Sequence, residues 1–323
     1  MKQTKSHRRD TVTVELSAVI AAASPAGPSV LTVRHSGGAP SGLPSGPLEA
    51  DHRTLEAGLR SWVEEQTSQR LGHVEQLYTF GDRDRAAAGG LAARALSIGY
   101  LALVREARPA DSAAASWQGW YRHFPWEDRR DGRPTAVDRL ERRLVEWAAG
   151  AAGEAERRLR RDRLGATFGI GTDGWIEDRV LERYELLYEA GIVAEAARGA
   201  PAGARDPGAE GEPMVTDHRR ILATAIGRLR GKIKYRPIVF ELMPPAFTFL
   251  QLQRTVEGLA GVRLHKPNFR RLVAQQGLVE ETGEVTPETG GRPARLLRFR
   301  PDVLRERPAP GLRLPRPRAA APD

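Results

Sequence analysis

FTFLQLQRTVEGLAGVRLHKPNFRRLVAQQG, residues 247–277, is the stretch that decides how the C-terminal part of this chain folds. Thr248 can cap a helix, and Gly261 stops that helix and allows the sharp turn that a helix-turn-helix requires. Lys266-Pro267-Asn268 begins a second helix with proline in its favoured first turn, and Gly277 ends it. The spacing therefore predicts a helix-turn-helix.

The second of these helices has an apolar face, formed by Phe269, Leu272 and Val273, and a polar outer face. Arginine suits guanine, asparagine and glutamine suit adenine, and lysine suits phosphate. The residues expected to contact DNA from the outer face are Lys266, Asn268, Arg270, Arg271 and Gln275. Downstream, LVEETGEV and RPARLLRFR predict two strands around a wing, whose Arg292 and Arg295 can follow the DNA backbone or enter the minor groove.

A further helix, Asp217 to Lys234, and a short apolar segment, Ile238 to Met243, precede this motif, and we assign residues 214–300 to a winged helix-turn-helix domain. The charge distribution agrees, since residues 213–323 hold 21 of the 50 Lys plus Arg but 10 of the 41 Asp plus Glu. Such asymmetry favours a polyanionic partner for the last third. The chain has no cysteine, which excludes disulfides and thiolate metal sites.

Strands and one helix alternate in the N-terminal part, which predicts a layered α/β arrangement. The expected strands are Val12 to Ala22, Ser29 to His35, Val74 to Phe80 and Ala95 to Val104, with a helix from Thr54 to Ser68 and a Gly/Pro/Ser loop before it. Residues 136–198 are helical in pattern and include a helix from Trp175 to Ala197. We expect residues 199–213 to be a flexible linker and residues 301–323 to be a disordered Pro/Arg-rich tail.

DHRRILATAIGRLRGKIKYRPIVFELMPPAFTFLQLQRTVEG, followed by KPNFRR and GRPARLLRF, closely resembles the C-terminal half of the Nudix-related regulators of NAD metabolism, the NrtR family. The resemblance implies a homodimeric repressor that binds a palindromic operator of NAD biosynthesis genes. It also implies that Asn268, Arg270 and Arg271 lie on the recognition helix. The segment from Ala136 to Pro213 is absent from the shorter NrtR proteins and favours the alphaproteobacterial NadQ type.

The Nudix box, G-x5-E-x7-R-E-U-x-E-E-x-G-U with U apolar, can be laid on this sequence from Gly46. It is matched at Arg60, Trp62, Glu64 and Glu65, and it departs from the pattern at His52, Ser61, Thr67 and Ser68. Ser61 stands where a carboxylate one helical turn before the glutamate pair would complete the metal cluster. YTFGDRDR and ALSIGYLALV, which follow the box, resemble Nudix enzymes that act on ADP-ribose.

The resemblance implies an α+β chain in which residues 11–135 form a Nudix-like α/β/α sandwich that carries a helical insertion and precedes the winged helix-turn-helix. The sandwich is expected to bind an effector, ADP-ribose or an NAD-like nucleotide, with no catalytic residue, metal or required cofactor. Arg60, Glu64 and Glu65 are the candidate effector residues, although Arg60 can instead pair with a carboxylate to hold the loop. The aromatic residues Trp117, Trp120, Tyr121 and Trp126 either form core or stack an adenine ring.

The function predicted from these observations is an effector-controlled repressor with double-stranded DNA, a nucleotide and a second copy of the chain as partners. The main alternative is a Mg²⁺-dependent Nudix pyrophosphatase, and a weaker one is an RNA-associated or scaffolding protein that uses the basic tail from Arg305 to Arg318. A signal peptide and a membrane span are not expected, which favours a cytoplasmic protein.

Overall fold

A computed structural model describes residues 12–24, 26–35, 37–81, 94–105, 114–171, 174–198, 210–287, 293–307 and 309–312. Its N-terminal part is built on a six-stranded mixed sheet in the order β4-β5-β1-β2-β6, with β3 paired to β1. The strands are β1 (Val12–Ser24), β2 (Gly27–Val33), β3 (Ser45–Pro47), β4 (Val74–Phe80), β5 (Arg94–Leu103) and β6 (Ala115–Gly119).

Strand β1 is the centre of this sheet. It runs parallel to β5 from the Val12–Arg94 pair to the Ala21–Leu103 pair. Its other edge pairs antiparallel with β3 first and with β2 further along. Both faces of β1 are covered, and its residues Leu16 to Ala22 are all buried, within the strand that the sequence predicted. The sequence pattern did not predict β3, which lies in the Gly/Pro/Ser loop, or β6, which is short and polar.

The helices of this part are, in chain order, α1 (Leu55–Thr67), α2 (Thr135–Ala149), α3 (Glu154–Phe168), α4 (Val180–Glu189) and α5 (His218–Ile233). Helices α1 and α5 cover opposite faces of the sheet and complete the α/β/α sandwich, while α2, α3 and α4 pack one on the next and then on α5. Leu59 and Val63 of α1 pack on one face with Leu16 and Ile20 of β1. Helix α5 packs on β1, β4 and β5 from the opposite face.

Helix α5, which the sequence places in the predicted domain of residues 214–300, packs as a layer of the sandwich. Its buried residues Ile221, Leu222 and Ile226 lie in the same core as Val19 and Leu101 of the sheet. An amphipathic pattern shows that a helix covers an apolar surface but leaves open which one.

The insertion is helical, as predicted, but the continuous helix expected from Trp175 to Ala197 is wrong. Only Val180–Glu189 is α-helical, and a separate 3₁₀ turn spans Ala194–Ala197. Gly191 separates the two with φ of +70°, a conformation that suits glycine and ends a helix.

The C-terminal part contains a helix-turn-helix and a three-stranded sheet in the order β7-β9-β8. Its elements are β7 (Phe247–Thr248), α6 (Phe249–Ala260), α7 (Lys266–Gln276), β8 (Val279–Thr286), β9 (Ala294–Phe299) and α8 (Val303–Glu306). Aromatic pairs fill the space between them: Phe240 stacks on Phe299 with ring centroids 4.5 Å apart, and Phe249 meets Phe269 edge-on at 5.4 Å.

The disordered tail expected from residue 301 is wrong for residues 301–307 and 309–312. Val303 and Leu312 are completely buried, and the Leu312 N–H donates to the Ile233 carbonyl at 2.8 Å. Residues 313–323, like residues 199–209 of the predicted linker, lie outside the described residues. Among the residues that are described, no helix is long and apolar enough to cross a membrane.

Candidate nucleic-acid interface and the Nudix-like site

Helix α6 begins at a complete capping box. The Thr248 hydroxyl accepts from the Gln251 N–H at 3.2 Å, and the Gln251 side-chain oxygen accepts from the Thr248 N–H at 2.6 Å. Two backbone donors that a helix N-terminus leaves unpaired are thus satisfied by two side chains that lie three residues apart in the chain. The predicted cap at Thr248 is confirmed.

The turn between α6 and α7 depends on a glycine and a buried glutamate. Gly261 has φ of +73°, and its N–H donates to the Glu257 carbonyl. The Glu257 side chain, which is buried, accepts from the Leu264 N–H at 2.9 Å and from the Gln253 amide at 2.9 Å. The sequence analysis missed Glu257, although a glutamate on the apolar face of a predicted helix is a signal for such a role.

Helix α7 carries the polar face predicted for DNA contact. Phe269 and Val273 are buried under the helix. The five predicted contact residues are all exposed on it: Lys266, Asn268, Arg270, Arg271 and Gln275. Arg271 Nη2 donates to Asn268 Oδ1 at 3.2 Å, and the Arg270 guanidinium lies 5.2 Å from the Phe249 ring centre. Helix α7 therefore presents these donors and acceptors to solvent, while its apolar side faces the core.

The wing is the β8–β9 hairpin. Arg295 donates to both carboxylate oxygens of Glu281 across the two strands, at 2.7 and 2.8 Å, and both side chains are exposed. Arg298 pairs with Glu280 at 2.6 Å in the same way. Arg292, the other predicted wing contact, lies outside the described residues. Exposed pairs of this kind contribute little to folding and can exchange their partner for a phosphate.

In the Nudix-like site, Arg60 holds the loop that follows α1. It donates to Glu56 at 2.7 and 2.9 Å and to the carbonyls of Leu71 and Gly72 at 2.5 and 2.6 Å. These contacts support the alternative interpretation of Arg60 as a residue that fixes the loop. The other two predicted effector residues, Glu64 and Glu65, are exposed on the outer face of α1.

The start of the box packs tightly on the same helix. A side chain at Gly46 would collide with the Trp62 indole, whose Nε1–H donates to the Pro47 carbonyl at 2.8 Å. His52 accepts from the Glu49 N–H and packs against Gly58. The loop and helix of the box thus keep a compact shape although several of its positions differ in residue type.

Carboxylates lie at two places near this helix. Glu64 pairs with Arg70 at 3.0 Å, and both side chains are more than half exposed. Within the described residues, Glu49, Asp51 and His52 bring three potential ligand atoms within 4.8 Å of one another. Position 61, where the box has a catalytic glutamate, holds an exposed serine.

The aromatic cluster of the sequence belongs largely to the core. Trp120 and Trp126 are completely buried, and the Tyr121 hydroxyl donates to the Gly258 carbonyl at 2.6 Å. Two clefts of about 620 and 500 Å³ open between α2 and α3 and beside α4 and α5, and neither is lined by residues of α1.

The family model that matches this chain is the NrtR DNA-binding winged helix domain, and it covers residues 239–299. This segment is similar to the NrtR winged helix domains. The matched range begins after α5, in agreement with the packing of that helix on the sheet. Helix α7, the predicted recognition helix, lies within the matched range.

A curated relative of the NrtR-type domain comes from Acinetobacter baylyi and is described as an ADPR responsive transcriptional repressor, NtrR. It is 42% identical over 86 residues, which are 27% of this chain. The match spans only about a third (34%) of that relative's length.

Solved structures extend the likeness in fold to nearly the whole chain. The crystal structure of Shewanella oneidensis NrtR complexed with a 27mer DNA covers 90% of this chain and 94% of its own, at 21% identity and a TM-score of 0.52. A MutT/nudix family protein from Enterococcus faecalis covers 92% of this chain and 90% of its own, at 15% identity and a TM-score of 0.51. Both identities are low, and the likeness therefore concerns the arrangement of a Nudix-like sandwich and a winged helix.

Proposed function

We propose that this protein is a DNA-binding transcriptional repressor controlled by ADP-ribose. The observation that carries the proposal is helix α7, whose exposed Lys266, Asn268, Arg270, Arg271 and Gln275 stand on a buried core within an NrtR-type DNA-binding domain. Arginine side chains that donate two hydrogen bonds to guanine, and amide side chains that pair with adenine, are the usual means by which a rigid helix reads the major groove. Arg292 and Arg295 of the wing are proposed to contact the backbone.

ADP-ribose is the effector we infer for the sandwich, in preference to an NAD-like nucleotide. The Acinetobacter relative of the winged helix is named as ADPR responsive. The chain supplies the corresponding ligand domain as a sandwich whose box helix exposes Glu64 and Glu65. We propose these two residues for the effector site and Arg60 as the residue that fixes the adjoining loop.

We further propose that the sandwich binds without efficient hydrolysis. A Nudix pyrophosphatase needs several carboxylates around its metal, and here positions 52 and 61 of the box hold His52 and Ser61. The pyrophosphatase alternative predicts Mg²⁺-dependent release of AMP from ADP-ribose that disappears in Glu64→Gln. Absence of that release, together with ADP-ribose binding, is the expected result.

The target is proposed to be a palindromic operator of NAD biosynthesis genes, bound by a homodimer of the NadQ type. The test measures fluorescence anisotropy of a labelled DNA fragment from upstream of those genes, against a scrambled duplex of equal length, at near-physiological salt. We expect preference for the upstream fragment and a change in its affinity when ADP-ribose is added. Equal affinity for both duplexes would refute the function, and an unchanged affinity with ADP-ribose would refute the effector.

A further inference from the structure

Glu127 is completely buried between two arginines that come from distant parts of the chain. Its carboxylate accepts from Arg183 Nε and Nη2 at 2.6 and 2.9 Å and from Arg230 Nη1 at 2.5 Å. All three side chains are inaccessible to solvent. We call Glu127, Arg183, Arg230 and the adjacent Tyr121 the junction cluster. Removing three charges from water is costly, and such a group persists only where the fold holds every partner in place.

The junction cluster joins the sandwich to the insertion. Glu127 ends a 3₁₀ turn, Pro125–Glu127, shortly after β6 of the sandwich. Arg183 lies on α4 of the insertion, and Arg230 lies on α5. Burial alone would raise the pKa of Glu127, but the two guanidinium groups outweigh burial and lower the pKa below its ordinary value. The carboxylate is therefore ionised, and its position depends on both arginines.

The same cluster holds the turn that precedes the recognition helix. Arg230 Nε donates to the Leu259 carbonyl at 3.0 Å, and the Tyr121 hydroxyl accepts from Arg230 Nη2 at 3.1 Å while it donates to the Gly258 carbonyl at 2.6 Å. These carbonyls belong to the last turn of α6, where a helix leaves its acceptors unpaired. Their donors come from outside the winged helix domain.

A second set of contacts fixes the same turn from the segment just after Glu127. The Arg129 N–H donates to the Gly261 carbonyl at 2.7 Å, and Arg263 donates to the Arg130 carbonyl at 3.1 Å. A β-carbon at Gly261 would lie 2.7 Å from Arg230 Nη2 and closer still to the Glu127 carbonyl. The turn is therefore pressed against this segment with no room for a side chain.

The insertion contributes Arg183 as a well-enclosed partner. Arg183 also donates to the carbonyls of Thr167, Ile176 and Glu177, and its guanidinium lies 3.8 Å from the Trp175 ring centre. All four of these residues belong to the insertion. The insertion, residues 136–198, therefore holds the Arg183 guanidinium in place beside Glu127.

We propose that the junction cluster positions the recognition helix relative to the sandwich, and that the insertion supplies Arg183 to hold Glu127 in place. Tyr121, Glu127 and Arg230 act through the turn and touch neither DNA nor effector. When the 119–131 segment shifts, the end of α6 and the turn bonded to it move with the segment as a rigid unit, and the N-terminus of α7 is displaced. The part of this inference that concerns DNA and ADP-ribose rests on the function proposed above.

The first test measures the position of α7 without DNA. The chain has no cysteine, so spin labels can be placed at Ala57→Cys on α1 and Ala274→Cys on α7, both exposed positions. Double electron–electron resonance, with excess unlabelled protein to remove distances between copies, gives the intrachain distance distribution. We expect one narrow distribution in the parent and a broader or displaced one in Tyr121→Phe and in Glu127→Gln.

The matched control is Glu189→Gln, which removes the partner of Arg163 in a part-exposed ion pair of the same insertion and should leave the distribution unchanged. Tyr121→Phe removes a single hydroxyl and keeps every charge. If Glu127→Gln does not fold, Tyr121→Phe alone shows whether the junction cluster positions α7. Distributions in Tyr121→Phe and folded Glu127→Gln that match the parent would overturn the proposal.

The second test measures the coupling between effector and DNA in the full chain. An effector ordinarily changes the affinity for a second ligand by about 5–150-fold. We expect Tyr121→Phe and Glu127→Gln to lose most of the ADP-ribose effect on operator binding, while calorimetry shows ADP-ribose affinity as in the wild type. A simple loss of stability would lower the active fraction and leave this ratio intact.

A coupling ratio in both variants equal to that of the wild type would contradict the positioning role. If the wild-type chain shows neither operator preference nor an ADP-ribose effect, the proposed function fails, and the distance measurement still decides whether the junction cluster positions α7.

Discussion

Arg271→Ala separates DNA recognition from folding, because its side chain is exposed on α7 and donates to Asn268 at 3.2 Å. An exposed contact of this kind contributes about 0–1 kcal/mol to stability. The variant should therefore unfold at nearly the wild-type temperature.

The effect on DNA should be larger. If Arg271 reads a guanine, its removal costs about 1–3 kcal/mol, which corresponds to a loss of roughly 5–150-fold in operator affinity. The affinity for scrambled duplex should fall much less, because base contacts supply the difference between operator affinity and scrambled-duplex affinity. If Arg271 instead contacts phosphate, both affinities fall equally and the slope of log K against log salt decreases by about 1.

The assay is fluorescence anisotropy on operator and scrambled duplexes at several salt concentrations. Arg161→Ala on α3 is the matched control, because it removes the same charge from a side chain that is 61% exposed in the insertion. Wild-type affinity and salt slope in Arg271→Ala and also in Arg270→Ala would refute the assignment of α7 as the recognition helix.

Three further predictions concern the turn and the domain junction. Gly261→Ala places an L-residue at φ of +73°, which costs about 1–2 kcal/mol before the collision with Arg230 is counted. Urea unfolding should show a decrease of at least that size in the free energy of unfolding. Glu257→Ala leaves the Leu264 N–H without its acceptor and should destabilise the chain by about 1–3 kcal/mol, with faster hydrogen exchange at that amide as the local readout. Burial lowers the pKa of His123 below its ordinary 6.5, so the unfolded chain binds a proton more readily than the folded chain. The stability that the neutral imidazole gives should be fully present above about pH 6.5 and fall below it. Urea midpoints in His123→Asn should therefore depend less on pH than those of the wild type.

Local signals in the sequence were sufficient for the elements of the winged helix. The capping box at Thr248 and the left-handed glycines Gly261 and Gly277 act within one helical turn, and the structure has helix ends at all three. The apolar segments of β1 and β5 likewise predicted two strands, and the structure places both in the interior of the sheet, where both faces are covered. The exposed polar face of α7 follows from the same 3.6-residue periodicity.

Tertiary structure alone decided which surfaces these elements cover. The pattern of α5 suits a winged helix and a sandwich equally well, and only the long-range pairing of β1 with β5 creates the face on which it packs. Glu127, Arg183 and Arg230 look like ordinary surface charges in the sequence, where 56 and 47 residues separate them. Their burial depends on contacts between the sandwich and the insertion, and no local pattern records such contacts because each side chain's partner lies far away along the chain.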